Sequence, residues 1–436
     1  MLFFVFSSSS SAQLSKHERD SIYLLNTADH SLMLDKLHIE SLRAGPSGNP
    51  NDPNAANSDE TKVRPYDLPK LLLFNNGTTV SSVSRWEKRR LEIMEAFDAE
   101  VYGRFPKEMP SVHWKLASEK DSILGAYPVV IQELLGVVDN STYPEIEVQI
   151  SMTLTLPKEA KNVPVMLNFD WNFPAGFNPE HPQENPWQEQ LLAEHFGYAS
   201  LIPTSYQADN GAGLQEGIIG LVNKGTPRNL DDWGTLKAWA WGASRALDYF
   251  ETHPAINEKH VAIQGLSRYG KAAMVTMAYD HRFAAGFIGS AGAGGTKILR
   301  RNLGEQVENL ASSNEYHWFA PNFIKYAGPL EVDDLPVDAH QLIALAAPRP
   351  LFISTGDPTV EGSWVDAKGM YLAAVHASPA YELYGEKGLT GSNYPAVGEF
   401  LSDGKLVFRT HRGGHTVVPN WPYFIKFVKP YFNTQY

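Results

Sequence analysis

The stretch His260-Val-Ala-Ile-Gln-Gly-Leu-Ser-Arg-Tyr-Gly-Lys-Ala-Ala-Met274 constrains the fold more than any other part of the chain. Val261, Ile263 and Leu266 read as a short buried strand, Gly265 and Gly270 bracket a tight turn, and the Ala- and Met-rich residues 271–279 read as the start of a helix. Ser267 therefore falls at a strand-turn-helix junction. A serine held there has its hydroxyl pushed out above the sheet edge, with backbone N–H groups of the helix start facing the same way. Two other readings fit the same letters. Gly265, Gly270 and Lys271 match a phosphate-binding loop up to its last position, where Ala272 replaces the magnesium-binding hydroxyl. A turn serine without chemistry is the other. The second glycine also comes one place later than in the usual Gly-x-Ser-x-Gly pattern.

Composition narrows the function classes. With 436 residues, 43% of them hydrophobic and 20% charged, the chain can bury a large core. A net charge of −12 argues against a nucleic-acid surface and against an anionic membrane surface, both of which need clustered positive charge. A neutral or weakly charged substrate fits better. The chain contains no cysteine, which removes disulfides, thiolate nucleophiles and zinc-thiolate sites together and suits an exported bacterial protein. Residues 1–12, apolar and then small, resemble a signal-peptide remnant that lacks a basic start, so a secreted or periplasmic location is expected. A disordered start is the alternative. Elsewhere no apolar run is long enough to span a membrane.

Along the chain, residues 13–63 read as an N-terminal extension, partly helical over 15–42 and then a Pro/Gly/Asn-rich linker over 44–58 that cannot pack a core. The folded domain is expected over 64–436. Residues 86–101 have helical spacing, with Leu91, Ile93, Met94 and Phe97 on one face and Arg89 and Arg90 on the other. Strands are expected at 145–156, 163–169, 198–203, 261–266, 284–288, 350–354 and 406–410. Helices are expected at 187–195, at 231–251 with Asn229 or Asp231 as cap, around Gln341, and at 421–428. A long insertion fills 296–338. Repeated strand-helix units predict an α/β fold with a mostly parallel central sheet covered by helices on both faces, a three-layer sandwich, whose chemistry lies at the C-terminal strand ends. Ser244, in Gly242-Ala-Ser-Arg245, imitates the motif but sits inside a predicted helix and reads as packing.

A serine hydroxyl is a poor nucleophile near neutral pH and needs a base, which in turn needs an orienting carboxylate. In α/β-hydrolases the three follow in the order serine, acid, histidine. After the last strand comes Thr410-His-Arg-Gly-Gly-His415, a Gly-rich loop suited to carry the base, and His415 is the expected residue. His411 and His415 have the spacing of helical zinc ligands, but Gly413 and Gly414 between them disfavour a helix, and neither a metal nor a cofactor is expected. The acid is expected at Asp357, just beyond the strand at 350–354, with Glu361 and Asp366 as substitutes; Asp357 capping a turn before Pro358 is the plain alternative. Arg268, beside the serine, offers a backbone N–H and a guanidinium to a developing oxyanion.

These residues resemble the glucuronoyl esterases, carbohydrate esterases of α/β-hydrolase fold that cleave the ester between 4-O-methylglucuronic acid on xylan and lignin alcohols. The resemblance rests on Gly265-Leu-Ser-Arg-Tyr-Gly-Lys271, Trp86-Glu-Lys-Arg-Arg-Leu-Glu-Ile93 with Val101-Tyr-Gly-Arg104, Ser290-Ala-Gly-Ala-Gly-Gly295, Leu303-Gly-Glu-Gln-Val-Glu-Asn-Leu310 and Ala347-Pro-Arg-Pro350, and covers residues 64–436. It implies Ser267 as nucleophile, His415 as base and Arg268 as oxyanion stabiliser. By the same resemblance Lys271 and Glu305 hydrogen-bond uronate hydroxyls and Trp364 lies against the sugar. The expected partner is a glucuronate ester or glucuronoxylan fragment, acted on by a monomer. Many members carry a glutamate where Ser290 stands here, so the acid must come from elsewhere, in agreement with Asp357. A broad carboxylesterase or sugar acetyl esterase, and a catalytically silent saccharide-binding protein, are the alternatives.

Overall fold

The computed structural model describes residues 15–172, 186–391 and 393–432. Residues 1–14, which include the leader-like segment, lie outside the described residues. Its strands are β1 (Val112–Leu124), β2 (Tyr127–Val138), β3 (Gln149–Pro157), β4 (Val163–Phe169), β5 (Gly197–Ile202), β6 (Ile256–Leu266), β7 (Ala285–Gly289), β8 (Leu351–Thr355), β9 (Phe400–Leu401) and β10 (Leu406–Thr410). They form one sheet in the order β1-β2-β3-β5-β4-β6-β7-β8-β10-β9. From β5 through β10 every pairing is parallel, while β1, β2 and β3 join antiparallel at one edge and β9 at the other.

Successive side chains on a strand point to opposite faces, and the parallel strands are apolar on both. On β6, Val261 and Ile263 pack into one core while Ala262 faces the other; on β8, Leu351 and Ile353 oppose Phe352; on β10, Leu406 and Phe408 oppose Val407. One core is closed by the helices Thr235–Phe250, Arg268–Tyr279 and Ala367–Glu382, the other by Trp187–Ala193 and Trp421–Val428. The three-layer expectation is met.

Three local readings change. The helix Thr235–Phe250 begins after Gly234 and has no side-chain cap; Asp231 is drawn instead to Arg104 at 2.8 Å. Arg89 and Arg90 are buried, whereas Leu91 is exposed. Hydrogen bonds explain that inversion, since Arg90 reaches the Ala347 carbonyl at 3.2 Å and His281 Nε2 at 2.6 Å, and Arg89 reaches Asn75 at 2.8 Å. The β1–β2 hairpin was not anticipated because Ser118, Glu119, Lys120 and Asp121 interrupt any apolar alternation.

Residues 15–63 of the N-terminal extension are ordered against the rest. The helix Lys16–Leu37 opens with a capping box between Ser15 and Glu18 and buries Met33. His30 Nε2 contacts the Ala311 carbonyl at 2.9 Å, and Lys36 donates to the Arg228 carbonyl at 2.6 Å. The segment at 44–58 has little apolar surface, yet hydrogen bonds hold it in place: Asn309 Nδ2 to the Pro46 carbonyl at 3.0 Å and the Gly304 N–H to the Asn57 carbonyl at 2.8 Å.

Candidate active site

Ser267 follows β6 and caps the helix Arg268–Tyr279 with φ 61° and ψ −128°, a conformation that ordinary residues rarely adopt. Close packing enforces the turn. A Cβ on Gly265 would lie 2.1 Å from the Tyr269 carbonyl oxygen, and one on Gly270 would lie 2.6 Å from that of Gly289. The late glycine is thus placed where the helix crosses the end of β7. Ser267 donates its N–H to Gly289 at 2.9 Å, and its side chain makes no capping bond to the helix, leaving the hydroxyl available.

His415 follows β10. The same loop carries Val417 across to β7, where a Cβ on Gly289 would be 2.2 Å from Val417 Cγ1. Gly289 is the residue whose carbonyl holds the Ser267 N–H, so the histidine loop seats directly against the serine turn. The carboxylate on His415 belongs to Glu361, not Asp357: Nδ1 lies 2.6 Å from Glu361 Oε1. Glu361 Oε2 accepts the Gly356 N–H at 2.6 Å, and the Glu361 side chain is only 1% exposed. Because a carboxylate only accepts, Nδ1 carries the proton and Nε2 is left as the basic nitrogen.

Asp357 is used differently. Its Oδ1 accepts the Thr359 hydroxyl at 2.7 Å and the Thr359 N–H at 2.8 Å, and those bonds hold the carboxyl below its ordinary range. This is the turn-capping role before Pro358. The turn is what brings Glu361 round to the imidazole, while the Asp357 N–H donates to the Gly413 carbonyl at 2.9 Å and ties the two loops together. His411 spends both ring nitrogens on its own loop, with Nε2 2.7 Å from the Thr416 carbonyl and Nδ1 accepting from Gly413 at 2.9 Å.

Arg268 is fixed at one end. Its Nη1 donates to Asp209 Oδ2 at 2.6 Å, while Asp209 Oδ1 receives Trp318 Nε1 at 2.7 Å and contacts His317 Nε2 at 3.0 Å. Burial alone would raise the Asp209 carboxyl, but His317, Arg268 and Trp318 hold it well below the carboxylate range. The guanidinium also faces the rings of Trp318 and Trp171, at 5.2 and 5.6 Å. Among the described residues its Nε has no partner.

Lys271, 4% exposed, donates to the carbonyls of Ala291 at 2.8 Å and Ala293 at 2.7 Å and sits 3.7 Å from Glu305 Oε2. Glu305 is anchored through its backbone, its carbonyl by Lys297 Nζ and its N–H by the Trp364 carbonyl at 3.1 Å. Trp364 is 38% exposed, donates Nε1 to the Glu361 carbonyl at 2.9 Å, and places its ring 5.0 Å from that of His415. Ser290 follows β7 with φ 41°, and its hydroxyl is buried without a partner among the described residues.

The sequence reading assigned Asp209, His317, Trp318 and Glu315 no role and named Glu361 only as a substitute. Asp209 follows β5 at the C-terminal edge of the parallel strands, the one positional signal that pointed to it. Glu315 lies close to Glu305, Lys271, Arg268 and Asp209; burial and the Glu305 charge push its carboxyl up to about 7, against the pull of Lys271 and Arg268.

The fold and the serine turn, with an imidazole held by a buried carboxylate, define an ester hydrolase of the α/β-hydrolase class. Residues 228–385 match a family described as "Glucuronyl esterase, fungi". A carbohydrate esterase from an unknown prokaryotic organism is 31% identical over 409 residues, which is 86% of this chain and 92% of that protein. A glucuronoyl esterase structure from Teredinibacter turnerae is 46% identical, covers 94% of this chain and 100% of its own, and superposes with a TM-score of 0.88. A 4-O-methyl-glucuronoyl methylesterase from Wolfiporia cocos is 26% identical over 347 residues, 76% of each chain. The chain belongs to the glucuronoyl esterases of carbohydrate esterase family 15.

Proposed function

We propose that the chain hydrolyses esters of glucuronic and 4-O-methylglucuronic acid, as in the links between glucuronoxylan and lignin alcohols, through an acyl-enzyme on Ser267. The observation that carries this reading is the 2.6 Å contact of His415 with Glu361 on a loop packed against the serine turn. His415 Nε2 takes the proton from Ser267 Oγ as it attacks the ester carbonyl. Collapse of the tetrahedral anion expels the alcohol, which leaves with that proton. Water then attacks the acyl-serine, gives its proton to His415, and releases the uronic acid as Ser267 recovers its own.

Arg268 is the donor for the oxyanion, and Asp209 holds it in position. Lys271 and Glu305 form the uronate subsite, a cation and a carboxylate that suit a ring bearing vicinal hydroxyls, with Trp364 along the sugar face. The fungal relative named as a methylesterase of 4-O-methyl-glucuronate supports the acyl portion. A polymeric wall substrate supports a location outside the cytoplasm, and we read the protein as acting as a monomer. Among the described residues no helix is long and apolar enough to cross a membrane.

Paired rates on benzyl glucuronate and phenyl acetate test the reading. Lys271→Ala should slow the uronate ester at least about tenfold and spare the acetate. Equal losses on both would favour a carboxylesterase without uronate recognition.

A further inference from the structure

The face that the helix Lys16–Leu37 turns toward the rest of the protein is polar. Asn26, Asp29, His30 and Met33 recur at the spacing of one helical face, and the buried side chains of the helix are Asp29, His30 and Met33. Tyr23, Leu24 and Leu25 of the same helix are 62%, 66% and 54% exposed. A helix held by packing alone buries its apolar side chains and exposes the polar ones. Here the order is reversed, and the inward groups are spent on hydrogen bonds and a ring contact.

Asn26, Asp29 and His30 reach two short turns. Asn26 Oδ1 accepts the Ala212 N–H at 2.7 Å, in the turn Gly211–Gln215. Asp29 Oδ2 accepts the Tyr316 hydroxyl at 2.8 Å, and the His30 ring meets the Tyr316 ring edge-on at 4.7 Å, at the start of the turn Tyr316–Trp318. The helix and both turns converge on one point: a Cβ on Gly211 would lie 2.2 Å from the Tyr316 hydroxyl and 3.0 Å from Asn26 Oδ1. The second turn is held at its far end as well, since Arg228 donates to the Phe319 carbonyl at 2.6 Å and receives Lys36 of the helix on its own carbonyl.

These turns carry the groups that hold Arg268. Asp209, which pairs with the guanidinium, stands just before Gly211, and His317 and Trp318, which fix the other oxygen of Asp209, directly follow Tyr316. The Arg268 side chain is 37% exposed, so its place depends on that carboxylate more than on burial. A long side chain has many rotamers, and a donor to an oxyanion is effective only when it is preorganised.

We propose that the N-terminal helix is a positioning element for the oxyanion arginine, with Asn26 and Asp29 as its positioning residues: they fix the turns that aim Asp209, and Asp209 aims Arg268. They act through the guanidinium and not on the ester itself. The inference rests on the proposed role of Arg268 and extends it to the N-terminal extension.

The test uses the full chain with methyl 4-O-methylglucuronate and with phenyl acetate, two esters that need the same oxyanion donor but share no uronate. Asn26→Ala and Tyr316→Phe should each lower kcat about fivefold to tenfold on both esters, with KM within about twofold of wild type. Met33→Ala is the control for stability, because it opens a cavity under the same helix; the melting temperature should fall while kcat stays within about twofold. In an Arg268→Ala background, adding Asn26→Ala should change kcat by less than about twofold, since the group it positions is gone. Full kcat in Asn26→Ala and Tyr316→Phe, an equal kcat loss in Met33→Ala, or the same loss from Asn26→Ala with and without the Arg268 guanidinium would each overturn the positioning role. A wild type that turns over phenyl acetate but not the uronate ester would reject the uronate reading, and the acetate series would still decide this one.

Discussion

Glu361 Oε1 lies 2.6 Å from His415 Nδ1, and the other oxygen of the same carboxylate is fixed by the Gly356 N–H. A buried carboxylate held at both oxygens sets the ring orientation and the tautomer of its histidine. Glu361→Gln keeps the shape but can present an N–H to Nδ1, which favours the wrong tautomer. The expected result is a fall in kcat of about a thousandfold or more with little change in KM. Asp357→Asn should stay within about twofold of wild type, because that carboxylate only caps its own turn. Steady-state kinetics on a methyl glucuronate ester measures both.

Asp209 is bonded to Arg268, and in the proposed mechanism it acts through that guanidinium rather than on substrate. Asp209→Asn removes the charge that anchors the guanidinium, which then samples positions away from the oxyanion. The loss should appear in kcat, on the order of tenfold to a hundredfold, with KM nearly constant. A matching rise in KM alone would show that the aspartate serves binding instead.

Acid should destabilise the fold through buried histidines. Burial lowers His340 to about 4, and burial together with Arg90 lowers His281 to about 4. A histidine depressed in the folded state leaves the unfolded chain with more bound protons below pH 6.5, so stability is full above that value and falls as pH drops toward 4. Melting temperatures between pH 7 and pH 4 should decline, and His340→Gln should flatten part of the slope.

Removing residues 15–42 should lower stability. Met33 is fully buried, and burying a methionine side chain is worth about 1.5–3 kcal/mol before the hydrogen bonds of His30 and Lys36 are counted. A drop in melting temperature of at least about 2 °C is expected by calorimetry. An unchanged melting temperature would mean that the helix contributes nothing to the folded body.

The serine turn and the parallel strands were legible because they depend on local signals: apolar runs of strand length and glycines where no Cβ fits. The histidine was legible from chain order after the last strand. Glu361 was not, because an Asp-Pro turn offers the nearer carboxylate, and only the path of the turn shows that Asp357 faces its own Thr359. Arg89 and Arg90 were misplaced for a related reason, since a hydropathy pattern gives no credit to a guanidinium that hydrogen-bonds to carbonyls and neighbouring side chains. Asp209 gains its meaning from Arg268, 59 positions away, and Glu315 from Lys271 and Arg268 on another element as well as from Glu305, which no local pattern records.

The most direct test of the central claim is kcat/KM for methyl 4-O-methylglucuronate with the wild-type protein and with Ser267→Ala. Turnover by the wild type and a rate for the variant reduced by about a thousandfold or more is the expected result. A variant that retains most of the wild-type rate would contradict the account.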